Sequence, residues 1–444
     1  MFENIIGNNS VIASLREDIT SSHLPPCILL SGDESAGKLT VALEIARSLN
    51  CKQNAKWNCD CPSCEKSRSL ALPDFLIIGE KNCSYEIKAA GVALLKSKTR
   101  GAYYLFLRAI KKLLIRFDSN LWQTSDTIFA KAVALLPDIE ETLNEIRAKD
   151  GEIENKLASF EYKKLENIIT SLEKKCEKLQ DECMYESIPV SVVREAIVWM
   201  HLRPGERRKI LIVENAQKMQ EGARNAFLKI LEEPPEYANF ILTTQNKNAI
   251  MPTILSRVRP YIFVRRSERE EEEVLRRVFK YEACKDINRV KGIGCGQFST
   301  LQSFFYDHLP VSYTEIQKAA SKFLRFAFSS QKTRVHSFTS LQKSLGENDA
   351  TLGVQDENSN LFISKISQEL NKFKPSVVYK LFLLSIVDIL HASIARGDVE
   401  NMEIEAYKKA SEAIDVARGE VEIYNMTCVS VLQELMEELK GIFV

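Results

Sequence analysis

The chain has 444 residues, 45% of them hydrophobic, with 60 basic and 60 acidic side chains that cancel to a formal net charge of zero. Such a length exceeds one ordinary domain, and the apolar content is ample for buried cores, which excludes a disordered chain. The charge balance excludes a global basic field that would carry the protein onto nucleic acid, though it leaves room for a local basic patch. The N-terminal MFENIIGNNS has neither a basic flank nor an apolar core, and no run of about 18 apolar residues occurs. Neither a secretory signal nor a membrane span is expected, and the location implied is cytoplasmic.

In chain order, residues 8–21 carry Val11, Ile12, Leu15 and Ile19 at helical spacing. The run PPCILLSG, ending at Gly32, reads as a buried strand, and LTVALEIARSLN after Lys38 reads as a helix, so a β-loop-α unit is expected at 27–50. Four cysteines crowd residues 51–64. Residues from about 81 to 185 are rich in Lys and Glu and helical in pattern, with a seam of Leu165, Ile169, Leu172, Cys176, Leu179 and Cys183. A second seam runs through Ile139, Leu143, Ile146, Ile153, Leu157 and Phe160 around a break at Asp150-Gly151. This segment is either an insertion packing on itself or an arm that docks a partner. KILIVENA from Lys209 is a second strand. A helix from Glu221 to Glu233 ends at Pro234-Pro235, which cannot continue it. NFILTTQ from Asn239 is a third strand. Alternating strands and helices imply a parallel sheet covered on both faces. From Glu268 onward the pattern is helical throughout, in two parts meeting near Tyr306 to Tyr313, with a polar loop at SLGENDATLGVQDENSN.

Gly32-Asp-Glu-Ser-Ala-Gly37-Lys38 matches the first seven positions of a P-loop. Its glycines allow the tight turn that points backbone N–H groups at phosphate, and Lys38 adds a point charge. The next position requires a hydroxyl for Mg²⁺, yet Leu39 stands there; Thr40 is turned roughly 100° away along the helix. The second strand ends in Glu214-Asn215 where ATPases of this type have Asp-Glu, one carboxylate for the metal and one for the attacking water. Glu214 keeps a carboxylate on a longer stem, whereas the neutral Asn215 cannot act as a base. Both departures point to little or no hydrolysis, with bound ATP or ADP left open.

The cysteines are spaced Cys51-x₇-Cys59-x-Cys61-x₂-Cys64. Four thiolates in so short a segment suit a structural tetrahedral Zn²⁺; a redox pair and ordinary buried thiols are the alternatives.

Several motifs stand in one order: Phe2-Glu-Asn-Ile-Ile-Gly7, the P-loop, Leu49-Asn-Cys51 with the cysteine cluster, Leu72-Pro-Asp74, Asn225-Ala-Phe-Leu-Lys-Ile-Leu-Glu-Glu-Pro-Pro235, and Pro252-Thr-Ile-Leu-Ser256-Arg257. This string resembles the AAA+ clamp-loader subunits of bacterial DNA polymerase III, gamma and delta-prime, strongly over 1–79 and 186–267. Over 268–444 the likeness is architectural only, and it lapses over the insertion. The resemblance implies an α/β RecA-like AAA+ domain (1–267) with a zinc module (51–64) and a long helical insertion (81–185). A helical lid (268–308) and an all-α collar for oligomerisation (309–444) would follow. Partners would be the other loader subunits, gamma/tau and delta, with the sliding clamp and primed DNA reached through the assembled complex. In that family a Ser-Arg-Cys motif projects an arginine into the neighbour's ATP site; here Arg257 survives and Val258 replaces the cysteine. The guanidinium would stabilise charge on the transferring phosphoryl group in trans. The lid's nucleotide-sensing arginine is replaced by Ser299 in Gly296-Gln-Phe-Ser299.

The pattern of lost and kept groups resembles delta-prime: nucleotide-binding residues Gly32, Gly37, Lys38 and Glu214 in a degenerate site, Arg257 as the trans-acting group, and Cys51, Cys59, Cys61 and Cys64 as metal ligands. Two other readings stay open: a divergent gamma-like ATPase motor, and an interaction scaffold outside the clamp loader.

Overall fold

The computed structural model describes residues 1–281 (apart from 82, 124 and 206), 301, 304–305, 313–329, 375–395, 401–422 and 426–442. The chain divides into two compact units, Met1–Ala283 with Thr300–Gln302, and Cys284–Ser299 with Ser303–Val444. The expected lid motif around Ser299 and the polar loop after Ser344 lie outside the described residues.

In the first unit five strands form one sheet: β1 (Cys27–Gly32), β2 (Phe75–Ile78), β3 (Lys209–Val213), β4 (Ala238–Thr244) and β5 (Arg259–Phe263), in the order β2-β3-β4-β1-β5. Every pairing is parallel. Successive side chains point to opposite faces, and both faces are covered, so the central strands are apolar without interruption. Ile28, Leu30, Phe75, Ile77, Ile210, Ile212 and Ile241 share a core with α1 (Asn9–Thr20) and α2 (Lys38–Asn50). Cys27, Leu29, Leu76, Ile78, Leu211, Val213, Phe240 and Leu242 face the other way, into a core that includes α9 (Val190–Met200) and α10 (Glu221–Glu232).

That second core continues into the insertion. Between β2 and α9 come α3's downstream neighbours: α4 (Ser84–Ser97), α5 (Arg100–Ile115), α6 (Thr127–Ile146), α7 (Ile153–Ser159) and α8 (Tyr162–Cys183), α3 itself being the short helix Pro62–Arg68 of the cysteine module. All six residues of the expected α8 seam are buried, against α6 and α4. A 3₁₀ turn at Asp150–Glu152 marks the expected break between α6 and α7. The insertion packs on itself, as one reading expected, and also shares the sheet's core.

Two strands went unforeseen. β2 is only FLII, too short to separate from a buried helix segment by periodicity. β5 contains Pro260, which is tolerated because β5 pairs only with β1 and forms the sheet's edge.

In the second unit the described elements are helices: α13 (Tyr313–Ser329), α14 (Pro375–Ala395), α15 (Asn401–Glu422) and α16 (Cys428–Ile442), with α11 (Pro252–Leu255) and α12 (Glu268–Arg277) belonging to the first unit. α13 packs on α14 and α16, and α15 on α14 and α16. Phe323 and Phe382 meet edge to face with centroids 5.4 Å apart. Among the described residues no helix is long and apolar enough to cross a membrane.

Candidate functional site

The P-loop joins β1 to α2 at the C-terminal end of the sheet. Gly37 caps α2 at φ 92°, and an added Cβ would lie 2.3 Å from the guanidinium of Arg266. Gly32 runs so close to β5 that a Cβ would meet the Phe263 carbonyl at 2.2 Å. Gly32 is therefore required by the close approach of the β5 backbone and Gly37 by its left-handed φ, since the tip of Arg266 could move aside. Lys38 Nζ folds back onto its own loop, donating to the carbonyls of Gly32 (2.6 Å) and Asp33 (2.5 Å). Burial pushes the Lys38 ammonium down to about 8, against the pull of Glu34, Asp33 and Glu214. Arg266 donates to the carbonyls of Ile6 (2.9 Å) and Ser35, which adds a second cation to the loop. Leu39 packs into the core beneath α2, and Thr40 is exposed, so neither supplies the missing hydroxyl.

Glu214 follows β3 at the same end of the sheet, and its carboxylate is already engaged. Arg116, which caps the C-terminus of α5, donates to Glu214 Oε2, and Lys112 Nζ lies 3.7 Å from Oε1. Lys112 also pairs with Glu86, and Arg116 with the carbonyl of Glu80. Burial alone would raise the Glu214 carboxyl; Lys112, Arg116 and Lys38 overcome it and hold it below the usual carboxylate range. Gly79 makes the approach of Arg116 feasible, because a Cβ there would lie 3.0 Å from the guanidinium and 3.1 Å from Glu214 Cβ. The metal-ligand role open to Glu214 from the sequence thus meets two competing cations supplied by the insertion.

Asn215, at φ 53°, donates from Nδ2 to Glu80 Oε1 at 2.8 Å, and its backbone N–H bonds to Thr243 Oγ1. Burial pushes the Glu80 carboxyl up to about 7. A carboxyl group therefore lies one side chain away from the position where the water-activating acid is missing. Glu80, Lys112 and Arg116 were not found from the sequence. One signal was available: Lys112 and Arg116 stand four residues apart, on one face of a helix whose other inward positions are apolar.

The four cysteines are brought together. Their sulfur atoms lie within 4.8 Å of one another and all are buried, with Cys51 Sγ 3.7 Å from Cys59 Sγ and 3.9 Å from Cys61 Sγ. Tetrahedral thiolates at a Zn–S distance of about 2.3 Å would stand roughly 3.8 Å apart, so this donor set fits a metal with four sulfur ligands. Arg47 on α2 donates to Cys64 Sγ (3.0 Å), to Glu44 and to the carbonyls of Ala55 and Lys56. The cage is thereby tied to the helix that begins at the P-loop.

Arg257 is at the far end. β5 pairs Ile28 with Arg259 and Gly32 with Phe263, so Arg257, two residues before β5, lies roughly 20 Å from the loop along the strands. Its side chain is 29% exposed and donates to Glu232 Oε1 (3.0 Å) and the Thr253 carbonyl (2.6 Å). The P-loop and Glu214 are gathered into one site, and Arg257 is not part of it.

A family model described as "DNA polymerase III, delta subunit" matches residues 7–106 and 130–267, more than half of the chain. The chain belongs to that family. The gap between the two matched segments, 107–129, contains Arg108, Lys112 and Arg116. The DNA polymerase III subunit gamma/tau of Mycobacterium tuberculosis is 37% identical over 76 residues, 17% of this chain and 13% of that protein. The subunit tau of Bacillus subtilis is 44% identical over 57 residues, 13% of this chain and 10% of that one. The chain thus spans only a small part of the length of these relatives. A crystal structure of a gamma subunit-related protein from Thermotoga maritima aligns at a TM-score of 0.31 and 19% identity, over 57% of this chain and 80% of that one.

Proposed function

We propose that this DNA polymerase III family member is a delta-prime-type clamp-loader subunit, silent at its own P-loop and contributing Arg257 to a neighbour's ATP site. The observation that carries the reading is the engagement of Glu214 by Arg116 and Lys112, in a site where Leu39 and Asn215 have already replaced two groups that hydrolysis needs. Magnesium would have to displace a buried guanidinium to reach the carboxylate. Arg257 supports the other half: it is partly exposed, remote from its own loop, and held by a pair with Glu232 that a stronger phosphate partner can replace. The four-thiolate cage holds a structural zinc, all four positions being filled by sulfur with none left for water. The partners are the other loader subunits, with the sliding clamp and primed DNA reached through the assembly.

Reconstitution with the other loader subunits tests this. The isolated chain should turn over no ATP, and a complex carrying Arg257→Ala should assemble normally yet lose clamp- and DNA-stimulated turnover. An arginine finger is worth roughly 10³–10⁵ in rate at the site it serves, and Arg257→Lys should fare nearly as badly. Wild-type turnover from an intact Arg257→Ala complex would sink the trans role. A gamma-like motor is the second reading, favoured by the relatives named gamma and tau and by Glu80 beside Asn215. Turnover by the isolated chain that disappears in both Lys38→Ala and Glu80→Gln would establish it instead.

A further inference from the structure

The cysteine module and the insertion enclose a cavity that the nucleotide site does not use. Its volume is about 580 Å³, and it lies between α2, the cysteine module and α5. Four guanidinium groups line it, those of Arg47, Arg68, Arg100 and Arg108, against two carboxylates, Glu44 and Asp60. Arg100, Tyr104 and Arg108 come from one stripe of α5 at four-residue spacing, next to the N-terminal turn of that 16-residue helix.

The arginines differ in what they already hold. Arg47 is consumed by Glu44, the module's carbonyls and Cys64. Arg68 holds Asp60, Asp150 and the Cys59 carbonyl. Arg100 holds Asp150 through one nitrogen. Arg108 is partly buried and makes no hydrogen bond or ion pair with any described residue. Burial pushes its guanidinium down, and Glu44 and Glu86 compensate only at a distance. A guanidinium offers five donors in a planar fork matched to phosphate, and leaving it unpaired against a cavity wall is costly. On the same cavity stands Trp57, 56% exposed, which makes it the most exposed of the chain's three tryptophans beside the buried Trp122 and Trp199. The N-terminal turn of α5 is already capped by Thr99 and Glu154, so the groups left to take a phosphate together with its base are the unpaired Arg108 guanidinium, its neighbour Arg100 and the exposed indole.

We propose that this cavity is a second binding site, distinct from the P-loop, for a nucleoside phosphate, with the phosphate on Arg108 and Arg100 and the base against Trp57. The ligand is either a free nucleotide or one nucleotide of a single strand; the recognising chemistry is the same. Arg108 falls outside the residues that the family model matches, whereas Arg47, Trp57, Arg68 and Arg100 fall within them.

The test uses the full chain and its Trp57 fluorescence, titrated separately with pyrophosphate, thymidine monophosphate and an eight-residue oligothymidylate. Quenching by the monophosphate or the oligonucleotide is expected, absent in Trp57→Phe and weakened roughly tenfold or more by Arg108→Gln, the effect of losing a charged hydrogen-bond partner. Gly101→Glu should weaken it as well, since a Cβ at Gly101 meets nothing within 4 Å and the new charge would line the cavity without disturbing the helix. Its thermal melt should match that of the wild type. A response to the oligonucleotide alone identifies a strand, and a response to the monophosphate identifies free nucleotide. Binding of pyrophosphate alone, binding that ignores both Arg108→Gln and Gly101→Glu, binding lost in Lys38→Ala, or no binding of any probe would each overturn the proposal.

Discussion

At the scale of single residues, the decisive feature of the nucleotide site is a replacement of charge. Glu214 is mostly buried and needs a cation; in this chain protein cations at the end of α5 provide it. Removing one partner of a buried pair leaves the other charged and undersolvated, which costs about 3–5 kcal/mol. Arg116→Ala should therefore lower stability by that order in urea unfolding, while Arg116→Ala combined with Glu214→Ala should lose clearly less than the sum of the two single variants. Additive losses would show that the pair is not coupled. The P-loop groups and Glu214 were legible in the sequence because their spacing in a strand-loop-helix unit fixes where they fall. Arg116 was not, because it precedes Glu214 by 98 positions and reaches it only through the packing of α5 on the sheet. Glu80 was hidden for a similar reason, since β2 and β3 become neighbours only once the sheet is assembled.

Among the elements, the insertion shows how a long excursion can be both readable and misjudged. Its seams follow from helical spacing, and every residue of the α8 seam is buried as that spacing demands. Its attachment could not be read from the pattern, because an amphipathic helix shows which face it buries but not against what. The core of α4, α5, α6 and α8 runs without interruption into Leu29, Leu211 and Phe240 of the sheet. Leu172, fully buried in α8, should on replacement by Ala cost about 2–5 kcal/mol, as large-to-small core substitutions do. The loss should also reach the sheet: single-tryptophan variants keeping Trp122 in the insertion or Trp199 on α9 should unfold at the same urea concentration, and both midpoints should fall together. Two separate midpoints would mean that the insertion folds independently. The strands escaped notice for opposite reasons, β2 because it is short and β5 because its proline argues against a strand anywhere but at an edge.

Over the whole molecule, the cysteine cage is bound into the first unit through Arg47 and Glu44 of α2, with the Phe2 backbone N–H also bonding to Glu44. Chelating the proposed zinc should therefore lower the melting temperature of that unit, by about 2–4 °C for each kcal/mol of lost stability. Metal analysis should find one zinc per chain, lost in a Cys61→Ala, Cys64→Ala double variant; unchanged zinc content in that variant would refute the assignment. The cysteine spacing made the cage legible from sequence, whereas its tie to the P-loop helix depends on Arg47, which looks like any other helical arginine. The separation of Arg257 from its own P-loop along the full length of β5 has a kinetic meaning. A meeting that the fold forbids within one chain can occur only between chains. Any phosphate chemistry that depends on Arg257 must then need an assembly of chains, and it would fade on dilution below the dissociation constant of that assembly.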